Sequence, residues 1–166
     1  MTIAQGLLQE YDKEVAATRK VLARLPTEQF GFKPHAKSMA AGAIASHVTT
    51  MLHWGAVTLD EREFDMAPGG VPVDQEEYKS TAELLAAHDR YAAEFRGSIE
   101  RAKDADFDVT WTLKRNGTVL LAAPRLALLR SMILNHIVHH RAQLCVYLRL
   151  LDLPVPSVYG PSADER

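Results

Sequence analysis

The sequence predicts an all-α domain, a four-helix bundle with a short hairpin or extended crossover ahead of its last helix. Two observations predict it. Four stretches repeat apolar residues at three- and four-residue steps, separated by loops containing proline and glycine. The chain of 166 residues, 47% of them hydrophobic, is long enough for one packed core and short for two, so residues 1–166 read as a single domain.

The first helix spans about Thr2 to Leu25, with Leu8, Tyr11, Val15, Thr18 and Leu22 on one face. Pro26, Gly31 and Pro34 break the pattern and make residues 26–37 a connection. A second periodic stretch carries Ala40, Ile44, His47, Met51, Trp54 and Thr58 and ends near Arg62; a loop with Pro68, Gly69, Gly70 and Pro72 follows over 65–79. Ser80-Thr81-Ala82-Glu83 is a capping-box signature, because the serine oxygen can accept a backbone N–H while the glutamate reaches back. The helix it opens runs to about Lys103, with Leu84, His88, Tyr91, Phe95 and Ile99 facing inward. Between 107 and 123, Val109, Trp111 and Leu113 alternate, Asn116-Gly117 suits a tight turn, and Val119 and Leu121 alternate again. Pro124 fits the first turn of a fourth helix that continues to about Leu151. The tail holds Pro154, Pro156 and Pro161, cannot be helical, and is expected to fold back as ordered coil through Val158 and Tyr159.

A net charge of -2 offers no basic field for nucleic acid, and no apolar run reaches membrane-spanning length. One cysteine, Cys145, precludes an internal disulfide and fits a reducing, cytoplasmic location.

The last helix contains three histidines in five residues, within "LNHIVHHRAQL". At about 100° per residue, His136 and His140 fall on the apolar stripe with Leu129, Ile133, Leu144 and Tyr147. His139 lies toward the polar edge, and Cys145 points roughly opposite His136. In the second helix His47 is the inward histidine, and His53 points about 120° away from it. His88 reads as a hydrogen-bonded core residue. Two imidazoles one turn apart on an apolar face are costly to bury, and a divalent cation is the usual compensation; a third from a neighbouring helix fits a three-histidine metal site. Satisfied core histidines in a plain bundle are the alternative. Ile137 stands where a His-Glu-x-x-His protease has its glutamate, the fourth helix lacks the glutamates of a di-iron site, and neither a phosphate-binding glycine loop nor a Gly-x-Ser-x-Gly elbow is present.

His47 with Trp54, the run Asn135-His136-x-x-His139-His140-Arg141-x-Gln143-Leu144, Tyr147-Leu148-Arg149, the tail Tyr159–Glu165 and the linker "FGFKPHAKSM" resemble the DinB-like family over nearly the whole chain. The resemblance implies an up-down-down-up bundle, often a homodimer, that holds nickel or zinc through one histidine of the second helix and two of the fourth, here His47, His136 and His140. Ala142 departs from the family's usual glycine and should affect packing only, since it faces away from the three.

Three neutral imidazoles leave a cation its full charge and an open position, where a thiol or water would be acidified. Hydrolysis also calls for a carboxylate to move protons, and Glu14, Asp89 and Glu94 all lie off the inward stripes. Relatives implied by the resemblance include S-transferases using low-molecular-weight thiols. The expectation is therefore a small-molecule enzyme, a thiol-dependent S-transferase or a hydrolase, with a non-catalytic metal-binding or stress-response protein as the alternative. Gln143, almost in line with His136 and His140, is placed to hydrogen-bond a ligand ring. Arg141 reads as a surface or interface salt-bridge partner, and Trp54 and Tyr147 as core.

Overall fold

The computed structural model describes residues 1–73 and 76–165. It is mostly helical. Long helices α1 (Ile3–Ala23), α2 (Ala41–Asp60) and α3 (Thr81–Arg101) precede the one-turn α4 (Asp104–Phe107). The last helical rod is α5 (Arg125–Leu128), a π-helical stretch Leu129–Leu134, and α6 (Asn135–Leu150). Strands β1 (Glu63–Asp65), β2 (Thr110–Arg115) and β3 (Thr118–Pro124) form one small sheet.

Local signals account for the helix starts. Thr2 Oγ1 accepts from Gln5 N at 3.1 Å while Gln5 Oε1 accepts from Thr2 N at 2.9 Å, closing a capping box on α1. At α3, Ser80 Oγ accepts from Glu83 N at 3.2 Å, but the Glu83 carboxylate reaches one residue further back than the signature implies, to Lys79 N at 2.9 Å.

Each long helix packs on two others: α1 on α3 and α6, and α2 on α3 and α6. Along α2 and α3 the paired residues advance together, from Ser46 Oγ with Tyr78 N (3.1 Å) just before α3, through His53 with Glu94, to Asp60 with Ser98 (2.7 Å). Along α1 and α3 they run oppositely, from Ile3 N with Asp104 (2.9 Å), through Tyr11 Oη donating to Ala92 O (2.8 Å), to Thr81 Oγ1 donating to Leu25 O (2.7 Å). The apolar stripes meet in one core containing Tyr11, Leu22, Ile44, Leu52, Phe95, Ile99 and Leu148.

The sheet corrects the all-α expectation. The hairpin forms, with Asn116 (φ 49°) and Gly117 (φ 73°) both left-handed, the requirement of a tight two-residue turn. The chain after α2 adds β1 parallel to β2, in what the sequence presents as helix end and loop; a three-residue strand is too short to show a period. Asp65 at its end accepts from Asn116 N and Gly117 N, each at 2.8 Å, and so ties the turn to β1.

Arg141 makes the salt bridge expected of it, but inside the protein and not at its surface. It is 2% exposed, because Leu134, Ile137, Arg141 and Leu148 form a second buried stripe on the last helix. Its guanidinium donates to Glu14 O (3.0 Å), Thr18 Oγ1 (3.2 Å) and Tyr159 Oη, and pairs with the Glu14 carboxylate at 2.7 Å. The tail runs as coil along this latch, with Asp164 accepting from Val155 N (2.9 Å) and Glu165 from Ser157 N (2.9 Å).

Gly55 sets how closely α2 approaches α3: a Cβ there would lie 2.3 Å from the Phe95 ring, which is fully buried. Gly55→Ala should cost roughly 1–3 kcal/mol, the range for overpacking a filled core. Thermal denaturation should show it as a fall of roughly 2–4 °C in Tm for each kcal/mol.

Candidate metal centre

His47 comes from the middle of α2, and His136 and His140 from successive turns of α6, just after the π-helical stretch. One ligand atom from each lies within 4.8 Å of the others. His136 Nε2 is 2.9 Å from His140 Nε2 and 3.4 Å from His47 Nε2. The ring centroids are 4.6–5.0 Å apart, with His47 edge-on to both partners.

Gln143 fixes one tautomer. Its Oε1 lies 2.7 Å from His140 Nδ1, and a carbonyl oxygen only accepts, so Nδ1 carries the proton. His140 Nε2 therefore presents a lone pair to the cluster. Three Nε2 atoms this close can share protons among themselves only in part, whereas a cation takes all three lone pairs at once. Nitrogens bound about 2.0–2.1 Å from one ion, with angles of about 90–110°, stand about 2.9–3.4 Å apart, and both short separations fall there. These residues fit a divalent metal.

The electrostatics favour neutral rings. Burial, then the neighbouring His140 and His136, pushes the His47 pKa down to about 4. Burial also lowers that of His140, partly opposed by the Gln143 hydrogen bond. Deprotonated imidazole is the form a metal needs, so the fold readies these two rings for a cation without having to expel a proton at neutral pH.

The cluster opens on a cavity of about 410 Å³ whose wall includes His47 and His136. Met51, Trp54, Val57 and Met132 line it from the helices, Phe64 and Leu113 from the sheet, and Met66 and Val73 from the loop between β1 and α3. Trp54, expected in the core, is half-buried and forms part of this wall, edge-on to Phe64 at 4.8 Å. Tyr147 is core as expected and donates to Met39 O at 3.2 Å.

The remaining histidines divide. His139 is exposed and outside the cluster. His88 is fully buried on α3, its Nδ1 3.2 Å from Asp89 Oδ1 and its Nε2 without a hydrogen-bond partner among the described residues. His53 lines the cavity, although its side chain leaves α2 far round the helix from His47. Its Nδ1 lies 3.1 and 3.2 Å from the two carboxylate oxygens of Glu94. Sequence reasoning missed Glu76, which lines the same cavity from the loop before α3. No periodicity marks that loop, so nothing local pointed to the residue.

Two outcomes follow from the geometry. Gln143→Leu should leave the fold intact and weaken metal binding about 10–100-fold, the range for removing a hydrogen bond that orients a ligand; competition against a metallochromic chelator measures it. For pH, His47 takes a proton in the unfolded chain near 6.5 but in the folded chain only near 4. Stability of the metal-free protein should thus fall as pH drops through this window, and His47→Ala should flatten that part of the profile in chelator-treated melts.

A sequence profile of the DinB family matches residues 1–166. The uncharacterized protein YrdA of Bacillus subtilis (strain 168) is 27% identical over 158 residues, covering 95% of this chain and 89% of YrdA. Two crystal structures share the fold. A DinB-like protein from Bacillus cereus ATCC 10987 superposes with a TM-score of 0.72 at 23% identity, covering 95% of this chain and 98% of its own. A DinB-like protein (YjoA) from Bacillus subtilis gives 0.69 at 20% identity, with 97% and 99% covered. With the family profile matched from end to end, the chain belongs to the DinB family.

Proposed function

We propose that the protein is a metal-dependent enzyme acting on a small molecule, a thiol-dependent S-transferase or a hydrolase, with His47, His136 and His140 holding nickel or zinc. The observation that carries this reading is the cavity of about 410 Å³ against the three-histidine cluster. A metal that only tied α2 to α6 would need no such space beside it. When bound, a divalent ion supplies Lewis acidity and lowers the pKa of a thiol or water brought against it. The chain's own residues supply the rest. Gln143 orients His140, the largely apolar wall lowers the polarity around the cluster, and His53 with Glu94 places a group able to hold a proton in the same cavity.

We further infer the up-down-down-up order for the four long helical segments, supported by the pairings along α2 with α3 and α1 with α3. A cytoplasmic homodimer is the assembly we propose. Exposed Val146 and Leu150 on α6 support pairing, and no described helix is long and apolar enough to cross a membrane. A concave, largely apolar site favours a small substrate over nucleic acid.

Cobalt-loaded protein titrated with 2-mercaptoethanol tests the thiol reading. A sulfur-to-cobalt charge-transfer band that saturates with thiol is expected, and it should be missing in His136→Ala and His140→Ala but kept in His139→Ala. A ligand-field spectrum unmoved by the thiol counts against the S-transferase and leaves hydrolysis.

A further inference from the structure

The cavity has two unlike ends. At one stand His47 and His136; at the other His53 lies against Tyr91, whose hydroxyl donates to Glu76. His53 is six residues beyond His47 on α2, about 9 Å further along the helix axis at 1.5 Å per residue. Between the ends the wall is apolar apart from Thr50, whose hydroxyl donates to His47 O at 3.0 Å.

The second end is built around one carboxylate. Glu76 Oε2 accepts from Tyr78 Oη at 2.5 Å and from Tyr91 Oη at 2.9 Å. Two phenol donors fix its position and favour its ionised form, and its pKa is accordingly lowered. Tyr91 is held in turn, with the His53 ring 5.0 Å from its own. The positive form of His53 would be matched by Glu94, which its Nδ1 already contacts. The nearest guanidinium to Glu76 is that of Arg90, 3.9 Å away and exposed, over the Tyr91 ring. Among the described residues that line the cavity there is no lysine or arginine. Tyr91 sets an aromatic ring beside this carboxylate, and Trp54 and Phe64 add aromatic surface elsewhere in the same wall.

Glu76 is itself half exposed, so an anionic group at this end would keep part of its water but meet a carboxylate, with no lysine or arginine in the wall to offset the repulsion. An ammonium group would meet a fixed carboxylate and aromatic rings, the combination that recognises alkylated cations. We propose that the cavity takes a substrate with a cationic, ammonium-type head, received by Glu76 beside Tyr91, its reacting end turned toward the three histidines. The proposal rests on this cavity being the substrate site of the reading above, and deepens it by naming the class of substrate.

Choline and 3,3-dimethylbutan-1-ol provide the test. They share shape and hydroxyl group and differ in the charge of the quaternary centre, so any contact of the hydroxyl with a metal cancels in the comparison. Binding of both is followed by NMR on metal-loaded and chelator-stripped protein, for the wild type and for Glu76→Gln, which keeps an oxygen for the two phenols to donate to. Choline should bind the wild type about tenfold tighter than its neutral isostere. In Glu76→Gln the two should come within about twofold of each other, with metal content unchanged. Equal binding of the two probes by the wild type, no binding of choline, or a preference that survives Glu76→Gln would overturn the proposal. Metal content of the same samples separates the failures. Protein that binds metal but lacks the preference sinks the cationic substrate alone, whereas protein that takes up no metal sinks the reading of the site.

Discussion

Three imidazoles meeting inside a helical bundle are the constraint around which the rest of the protein is arranged. Each ring nitrogen taken from water must find a partner, and the three Nε2 atoms are too few in protons and too close together to satisfy one another fully. A divalent cation resolves the conflict by accepting every lone pair. The i, i+4 spacing on α6 presets two of the nitrogens, and His47 supplies the third from across the bundle, so the site exists only when α2 and α6 are packed.

The surrounding structure serves that packing. The approach of α2 to α3 depends on a glycine facing Phe95, which leaves no room for a side chain there. α6 is fixed from the other side by Arg141, whose buried guanidinium ties it to α1 and to the tail through Glu14 and Tyr159. The charge is matched and both terminal nitrogens are occupied, which is what a buried arginine requires. The small sheet closes the open flank of the cavity with Phe64 and Leu113, while Asp65 pins the hairpin turn that holds it there. The histidine cluster is left at one end of a largely apolar cavity.

Much of this was legible in the sequence, and the parts that were not have physical reasons. Helical period and caps placed the long helices to within a few residues, because their stripes are continuous. The wheel singled out the same three histidines that the structure brings together, since a helix fixes direction as well as spacing. Arg141 was read rightly as a salt-bridge partner but placed at the surface because its charge suggests solvent, although Ile137 and Leu148 share its stripe; that pattern was available. Trp54 was given to the core because an apolar stripe does not distinguish a filled interior from the wall of a cavity. β1 and Glu76 were out of reach. One is too short to carry a period, and the other lies in a loop whose path depends on contacts distant in sequence, with Tyr91 and Ser46.

The most direct measurement is X-ray absorption at the metal edge on protein prepared without an affinity tag, together with the metal-to-chain ratio. The account predicts one nickel or zinc ion per chain, three imidazole nitrogens at about 2.0–2.2 Å, and at least one further light-atom ligand from solvent. Protein that takes up no metal, or an ion whose coordination is unchanged in His140→Ala yet lost in His139→Ala, would contradict it.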